Sequence, residues 1–441
     1  MSNKIGFWSV FELVTISQIG SGLLLPASLA LYGTLTLVGW VISSMGALVL
    51  AVMFSELCVR FPRTGGPNVY VHEAFGSTAA FFTGWTYWMI SWISTIAIIS
   101  STIGYLTPFI GTHSTLITLG IEILLIISVF AYNLKGVGTA GSSRFIVVAL
   151  KIIPLIFVPL AALFFFDKNN LSTRHMMPGE APQLLNQVII LTFWGFIGFE
   201  TATTAASQIK NPAKIIPPAL ILGTLFVCVI YFLSSLGIMG IMPSQTLMQS
   251  EAPYADVARI MFGDYFYLFI SAVAAVICIG AINSWTLASG QIALGITEDG
   301  LMPRFFAQTN RNGVPLVPLF ISCIGSIFFL ILTHQETMMD KINTIIELSV
   351  VCFLFVYVIC CLAYLKILRQ QTNRAPFWQW LCAFISLGFC AWIIASTHLV
   401  TLLLASLFVM SGIPVYIFRR KKLKRLILNP TISPPAAVMA E

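Results

Sequence analysis

The chain has 441 residues, of which 58% are hydrophobic and only 9% charged, against roughly 45–50% and about 25% in ordinary soluble domains. That balance excludes an ordinary soluble domain and suits a protein whose solvent is lipid. Nine cysteines without a CxxC pair exclude a disulfide framework and a zinc site, and the net charge of +7 carries no nucleic-acid reading, because the basic residues gather on one side of the expected topology.

Apolar stretches recur from end to end and predict about twelve membrane-spanning helices, each long enough to cross a hydrocarbon core of ~30 Å. In chain order they cover 8–30, 34–57, 78–108, 115–134, 144–166, 186–206, 216–240, 264–293, 314–333, 343–368, 377–396 and 398–418. The first is expected to be a retained span rather than a cleaved signal peptide, since its apolar run is too long and Gly20, Pro26 and Gly33 belong to a span with others behind it. Turn chemistry at 62–67, at Asn211-Pro212 with Pro217-Pro218, and at 312–315 closes three hairpins on one side. With both termini cytoplasmic, eighteen of the 23 Lys and Arg lie inside, including the tail run from Arg419 to Arg425. Lys168, Arg174, Arg259 and Lys341 lie outside, and Lys151 lies within a span. The positive-inside rule is then obeyed, which favours cytoplasmic termini and an even number of spans.

Two spans are broken at their middles, the first by Gly20-Ser21-Gly22 and the sixth by Gly195-Phe196-Ile197-Gly198-Phe199-Glu200. Backbone groups in hydrocarbon must be bonded internally, so such breaks are tolerated only where protein buries them or a polar cavity receives them. A pair of breaks at corresponding positions is the sequence pointer to the substrate site of a secondary transporter. Each broken span opens a run of five, and an odd number of spans per unit forces the second unit to be inverted. The expected organisation is a single membrane domain over 1–418, with one repeat over 8–166, a second over 186–368 and two peripheral helices over 377–418. A basic cytoplasmic tail over 419–441 would sit against anionic head groups.

Motifs in order along most of the chain carry a resemblance. They are Gly20-Ser21-Gly22-Leu23-Leu24-Leu25-Pro26-Ala27; Gly65-Gly66 with Tyr70 and Phe75-Gly76; Trp194 to Glu200; Asn211-Pro212 with Ile216-Pro217; and Trp285-Thr286, Gly290-Gln291, Glu298 to Pro303 and Val314-Pro315. In this joint order the chain resembles the amino acid, polyamine and organocation (APC) transporter superfamily, nearest its basic amino acid/polyamine antiporter group of the arginine/agmatine and putrescine/ornithine type. The resemblance implies an all-α polytopic membrane protein with a LeuT-type 5+5 inverted repeat, broken helices 1 and 6 and two peripheral helices. It also implies a multi-pass protein of the bacterial inner membrane.

An amino acid substrate needs donors for its carboxylate, acceptors for its ammonium and a side-chain pocket. Half-helices at a break expose N–H groups and a positive dipole end, so the amides of Ser21 and Gly22 and the Ser21 hydroxyl are expected to hold the carboxylate. Carbonyls freed near Gln18, Trp194 and Ile197 are expected to accept from the ammonium, as the resemblance also implies. The resemblance places Trp194 at the gating aromatic, Trp285 where a cation stacks on an indole face, and Tyr87 and Tyr357 where the site closes over substrate. Ser91 and Ser349 match pocket-lining positions. Thr95 departs from the asparagine that the arginine/agmatine type uses for the guanidinium, and Ile90 replaces a smaller alanine, which counts against arginine itself. Ionisable residues inside spans are functional hypotheses: Glu200 matches a glutamate of proton-linked exchange, and Lys151 resembles a lysine that stands where sodium-coupled cousins bind the ion. Glu12, Glu122 and Glu347 match no assigned position, and the five histidines fall in loops or at span ends.

The leading expectation is therefore an antiporter of a basic amino acid against a related amine, working by alternating access. Proton-coupled, sodium-independent symport of a neutral amino acid is the alternative. An enzyme would need a catalytic constellation, and no paired acid and base, metal-ligand cluster or phosphate-cradling loop occurs in the sequence; no cofactor or metal is expected. A sensor would be expected to append a soluble output domain, for which the residues after 418 are too few. Expected partners are an amino acid or polyamine substrate, protons and the lipid bilayer, with no nucleic acid and with a homodimer left open.

Overall fold

The computed structural model describes residues 6–20, 22–63, 65–111, 114–135, 156–171, 181–204, 206, 209–371 and 375–428. Ser21 and Lys151, both expected at the site, lie outside the described residues. All regular structure among those described is helical: α1 (Phe7–Ile19), α2 (Leu25–Leu29), α3 (Leu35–Arg60), α4 (Pro67–Phe75), α5 (Ser77–Ile93), α6 (Thr95–Ile110), α7 (Thr115–Asn133), α8 (Ala181–Trp194), α9 (Thr201–Thr204), α10 (Pro212–Ile241), α11 (Ser244–Met248), α12 (Pro253–Phe262), α13 (Asp264–Glu298), α14 (Leu316–Leu332), α15 (Met338–Gln370), α16 (Phe377–Ala395), α17 (Leu399–Met410) and α18 (Ile413–Leu428). Eight described helices are long and apolar enough to cross a membrane, with α5 and α6 counted as one, and α17 joined to the start of α18. A helix satisfies its backbone within itself, which is why apolar segments in lipid take this form.

The expected spans are found to within a few residues where they are described, and the two broken ones divide as α1 with α2 and α8 with α9. Two short helices were not expected. α4 and α12 each begin with proline, Pro67 and Pro253, a residue that suits the first helical turn. Each ends at a glycine in the positive-φ region, Gly76 at φ 78° and Gly263 at φ 87°, and a long span starts at once. The turn demands a backbone that L side chains rarely adopt.

Packing of the broken spans shows the same kind of correspondence. A side chain at Gly223 of α10 would meet Val14 of α1 at 2.8 Å, and one at Gly39 of α3 would meet Val188 of α8 at 2.2 Å. In both cases a glycine on the neighbouring span lets a broken helix approach closely.

Lys341 lies in the first turns of α15, just ahead of the expected span 343–368, and is buried. Its Nζ donates to both oxygens of Glu122 on α7, at 2.8 and 3.0 Å, and the Ser100 hydroxyl of α6 donates to the same carboxylate at 2.9 Å. Removing one member of a buried pair strands the other, whereas replacing both avoids that penalty. Lys341→Met should cost about 3–5 kcal/mol of stability, and Lys341→Met with Glu122→Gln should recover most of it, as read by unfolding of the purified protein in detergent.

Outside the spans, Ser250 donates to Asp256 of α12 at 2.5 Å. Burial pushes the Asp256 carboxyl above its ordinary value, against the opposing pulls of the Ser250 hydroxyl and Arg259. A raised carboxyl binds its proton more tightly in the folded protein, so its stabilising contribution is present in acid and is lost as pH rises through the folded value. Asp256→Asn should therefore raise the melting temperature at pH 7.5, with the difference shrinking as pH falls towards 4.

Candidate functional site

At the first break α1 stops at Ile19 and α2 restarts at Leu25, which leaves carbonyls without intrahelical donors. Side chains from other elements answer them. The Tyr231 hydroxyl of α10 donates to Gln18 O at 2.7 Å and to Ile19 O at 3.1 Å. Trp285 of α13 donates through Nε1 to Ser17 O at 3.3 Å, and Tyr105 of α6 donates to Leu23 O at 2.9 Å. The Gly22 amide is not aimed at a ligand here: it closes a turn on Ile19 O at 3.3 Å. The Gln18 carbonyl and the Gly22 amide, both expected to meet substrate, thus have partners within the chain.

The second break is a tight run from Gly195 to Glu200. Its amides fold back, Phe196 N on Phe193 O at 2.9 Å and Ile197 N on Trp194 O at 3.1 Å, so the expected free carbonyl of Trp194 also has a donor. Gly198 has φ 113°, and a side chain there would approach Ser17 O at 3.0 Å and the Trp285 ring at 3.1 Å. Both conformation and space require glycine. The two breaks join at this residue. The Ser17 hydroxyl donates to Gly198 O at 2.8 Å, and Thr201 Oγ1 donates to Gly198 O at 2.6 Å and reaches Ser17 Oγ at 3.1 Å.

Glu200 is fully buried. One carboxylate oxygen accepts from the Gly198 amide at 3.1 Å and the other from the Tyr87 hydroxyl at 3.2 Å. No ion pair among the described residues includes it. An aromatic wall surrounds this point: Tyr357 packs on Phe199 at 5.7 Å and on Phe54 at 5.3 Å, and Phe353 lies 5.9 Å from both Tyr87 and Trp285.

The structure thus brings Tyr87, Glu200 and Trp285 to the junction of the breaks, with Tyr357 in the adjoining aromatic wall. Trp194 and Ile197 are buried in the second break itself. Ser349 on α15 is buried with no hydrogen-bond partner for its hydroxyl among the described residues, as suits a pocket-lining group. Ser91 instead donates within α5 to Trp88 O at 2.7 Å, and Thr95, at the start of α6, donates back to Trp92 O of α5 at 2.6 Å. Thr95 also lines a cavity of about 20 Å³ with Thr286 and Ser322, room for about one water molecule. Ser17, Thr201, Tyr105 and Tyr231 were missed by sequence reasoning. The usable signal for the tyrosines was a polar tip in an apolar span, which needs a partner when buried.

Segments around two of the resemblance motifs, Gly65-Gly66 and Glu298 to Pro303, come together beside α9, the helix after the second break. Gly65 N donates to Thr204 O at 3.3 Å, and Asn68 Nδ2 donates to Asp299 Oδ2 at 3.2 Å.

Comparison with known proteins matches residues 5–418 to the family described as amino acid permease. The cadaverine/lysine antiporter of Escherichia coli K12 is 28% identical over 438 residues, covering 96% of each chain. The putrescine transporter PotE of the same strain is 27% identical over 379 residues, covering 85% of this chain and 86% of its own. A putative arginine/ornithine antiporter of Bacillus subtilis strain 168 is 27% identical over 401 residues, covering 83% and 85%.

Gly198→Ala should abolish uptake of labelled substrate in proteoliposomes, through backbone strain at the junction. Ser17→Ala, which removes the internal bond to Gly198, should lower stability by about 1 kcal/mol, read by unfolding of the purified protein in detergent.

Proposed function

The chain belongs to the amino acid permease family, and on that premise we propose that it is an inner-membrane antiporter exchanging a basic amino acid for a related amine or amino acid. The relatives named as cadaverine/lysine, putrescine and arginine/ornithine carriers support that substrate class. The observation that carries the reading is the junction of the two breaks, where Ser17, Gly198, Glu200 and Trp285 converge. Polar backbone and a carboxylate are concentrated there inside an otherwise apolar bundle.

The backbone of both breaks offers the carboxylate and ammonium ends of an amino acid their partners, and the Trp285 face receives a cationic group. Substrate groups compete with bonds such as Ser17 to Gly198, so entry and release exchange internal bonds for substrate bonds. That competition suits a carrier whose site must reform on either side. Glu200 is the proposed proton site, since its carboxyl lies within bonding reach of the second break and can pass between charged and neutral forms with the substrate's charge. Trp194, Tyr87 and Tyr357 are the proposed gates. Lys151 is proposed as the positive charge standing in place of sodium. Two inverted repeats rocking about the breaks would supply alternating access, a reading supported by the paired glycine contacts and by the matching turns at Gly76 and Gly263. The distribution of Lys and Arg supports a cytoplasmic position for both termini.

Proteoliposomes loaded with cadaverine, putrescine, lysine or nothing, and supplied outside with labelled lysine, ornithine or arginine, test the reading. Uptake should require an internal amine or amino acid. Uptake into empty vesicles driven by a pH gradient alone would overturn antiport in favour of symport. Glu200→Gln should flatten the pH dependence of exchange while leaving the protein folded.

A further inference from the structure

We propose that Tyr231 is the positioning residue of the substrate site: its ring spaces the two breaks, and its hydroxyl holds the carbonyls freed by the first. This rests on the reading of the breaks as the substrate site. The ring is 1% exposed and stacks on Trp40 of α3, with centroids 5.0 Å apart and planes at 28°. Trp40 is itself fixed by its Nε1, which donates to Ser235 Oγ at 2.6 Å. Phe196, from the second break, packs edge-on against both rings, at 5.7 Å from Trp40 and 6.1 Å from Tyr231.

The two edges of the Tyr231 ring face different breaks. A side chain at Gly22 would lie 2.1 Å from the hydroxyl oxygen and 2.4 Å from Cε1; one at Gly195 would lie 2.8 Å from Cε2. A side chain at either glycine meets the same obstacle, the Tyr231 ring, so the need for glycine at both places is steric. The hydroxyl then bridges Gln18 O and Ile19 O. A ring wedged between the segments with its donor clamped on one of them sets their separation and orientation.

Tyr231→Phe keeps the spacer and removes the clamp, whereas Tyr231→Leu removes both. For exchange of external labelled lysine against internal cadaverine, Tyr231→Phe should raise KM about fivefold or more with maximal rate within about twofold of wild type. A fall in maximal rate at unchanged KM would overturn the positioning role. Gly22→Ala should be severe beside Tyr231 and add little in the Tyr231→Leu background. An equal cost in both backgrounds would overturn the spacer. That cycle is also read from melting temperatures of the purified variants, so it stands or falls even where lysine is not carried. Failure of the wild type to exchange would sink the antiporter reading and leave the spacer to be judged on stability alone.

Discussion

Every backbone amide and carbonyl at bilayer depth must find its partner within the protein. An unbroken span meets this demand locally; a broken one exports it to its neighbours. In this chain the carbonyls of Ser17, Gln18, Ile19 and Leu23 are met by Trp285, Tyr231 and Tyr105, borne on α13, α10 and α6. The first break is consequently a point at which three other helices are tied to one short stretch of backbone. The second break adds Ser17 as donor to Gly198, so the two irregular segments support each other. The polar groups that would be costly in lipid are thereby gathered at one place, the junction proposed above as the substrate site.

The breaks themselves were legible because glycine and glutamate stand out inside apolar runs, and the span boundaries followed from length and hydropathy alone. The roles proposed for Trp285, Tyr87 and Glu200 came through the family motifs, and the structure brings these three to one place. Tyr231 was not legible, since a tyrosine in the middle of α10 has meaning only once Gly22 and Gly195 lie against its edges. Ser17 was equally silent: its partner lies 181 residues away. The free carbonyl of Trp194 and the free Gly22 amide were overestimated for a related reason. Turn geometry gives short-range partners at a break, and counting helix ends from sequence overlooks them.

No internal repeat is visible residue by residue, yet the two halves repeat their physical solutions. Gly39 against Val188 and Gly223 against Val14 are the same device, a missing side chain that lets a broken helix press on its neighbour. Gly76 and Gly263 both end a short proline-led helix at a sharp turn into a long span. Such features are set by geometry rather than by identity. They outlast sequence similarity because few residues satisfy a positive φ or a contact that leaves no room for a side chain.

The buried pair of Lys341 and Glu122 joins residues 219 positions apart. During synthesis α7 enters the bilayer long before α15 has been made, so its carboxyl has no lysine to meet. Each charged group costs roughly 2.5–3.5 kcal/mol at the centre of an inserting helix. The pair can therefore close only once the last third of the chain has been made.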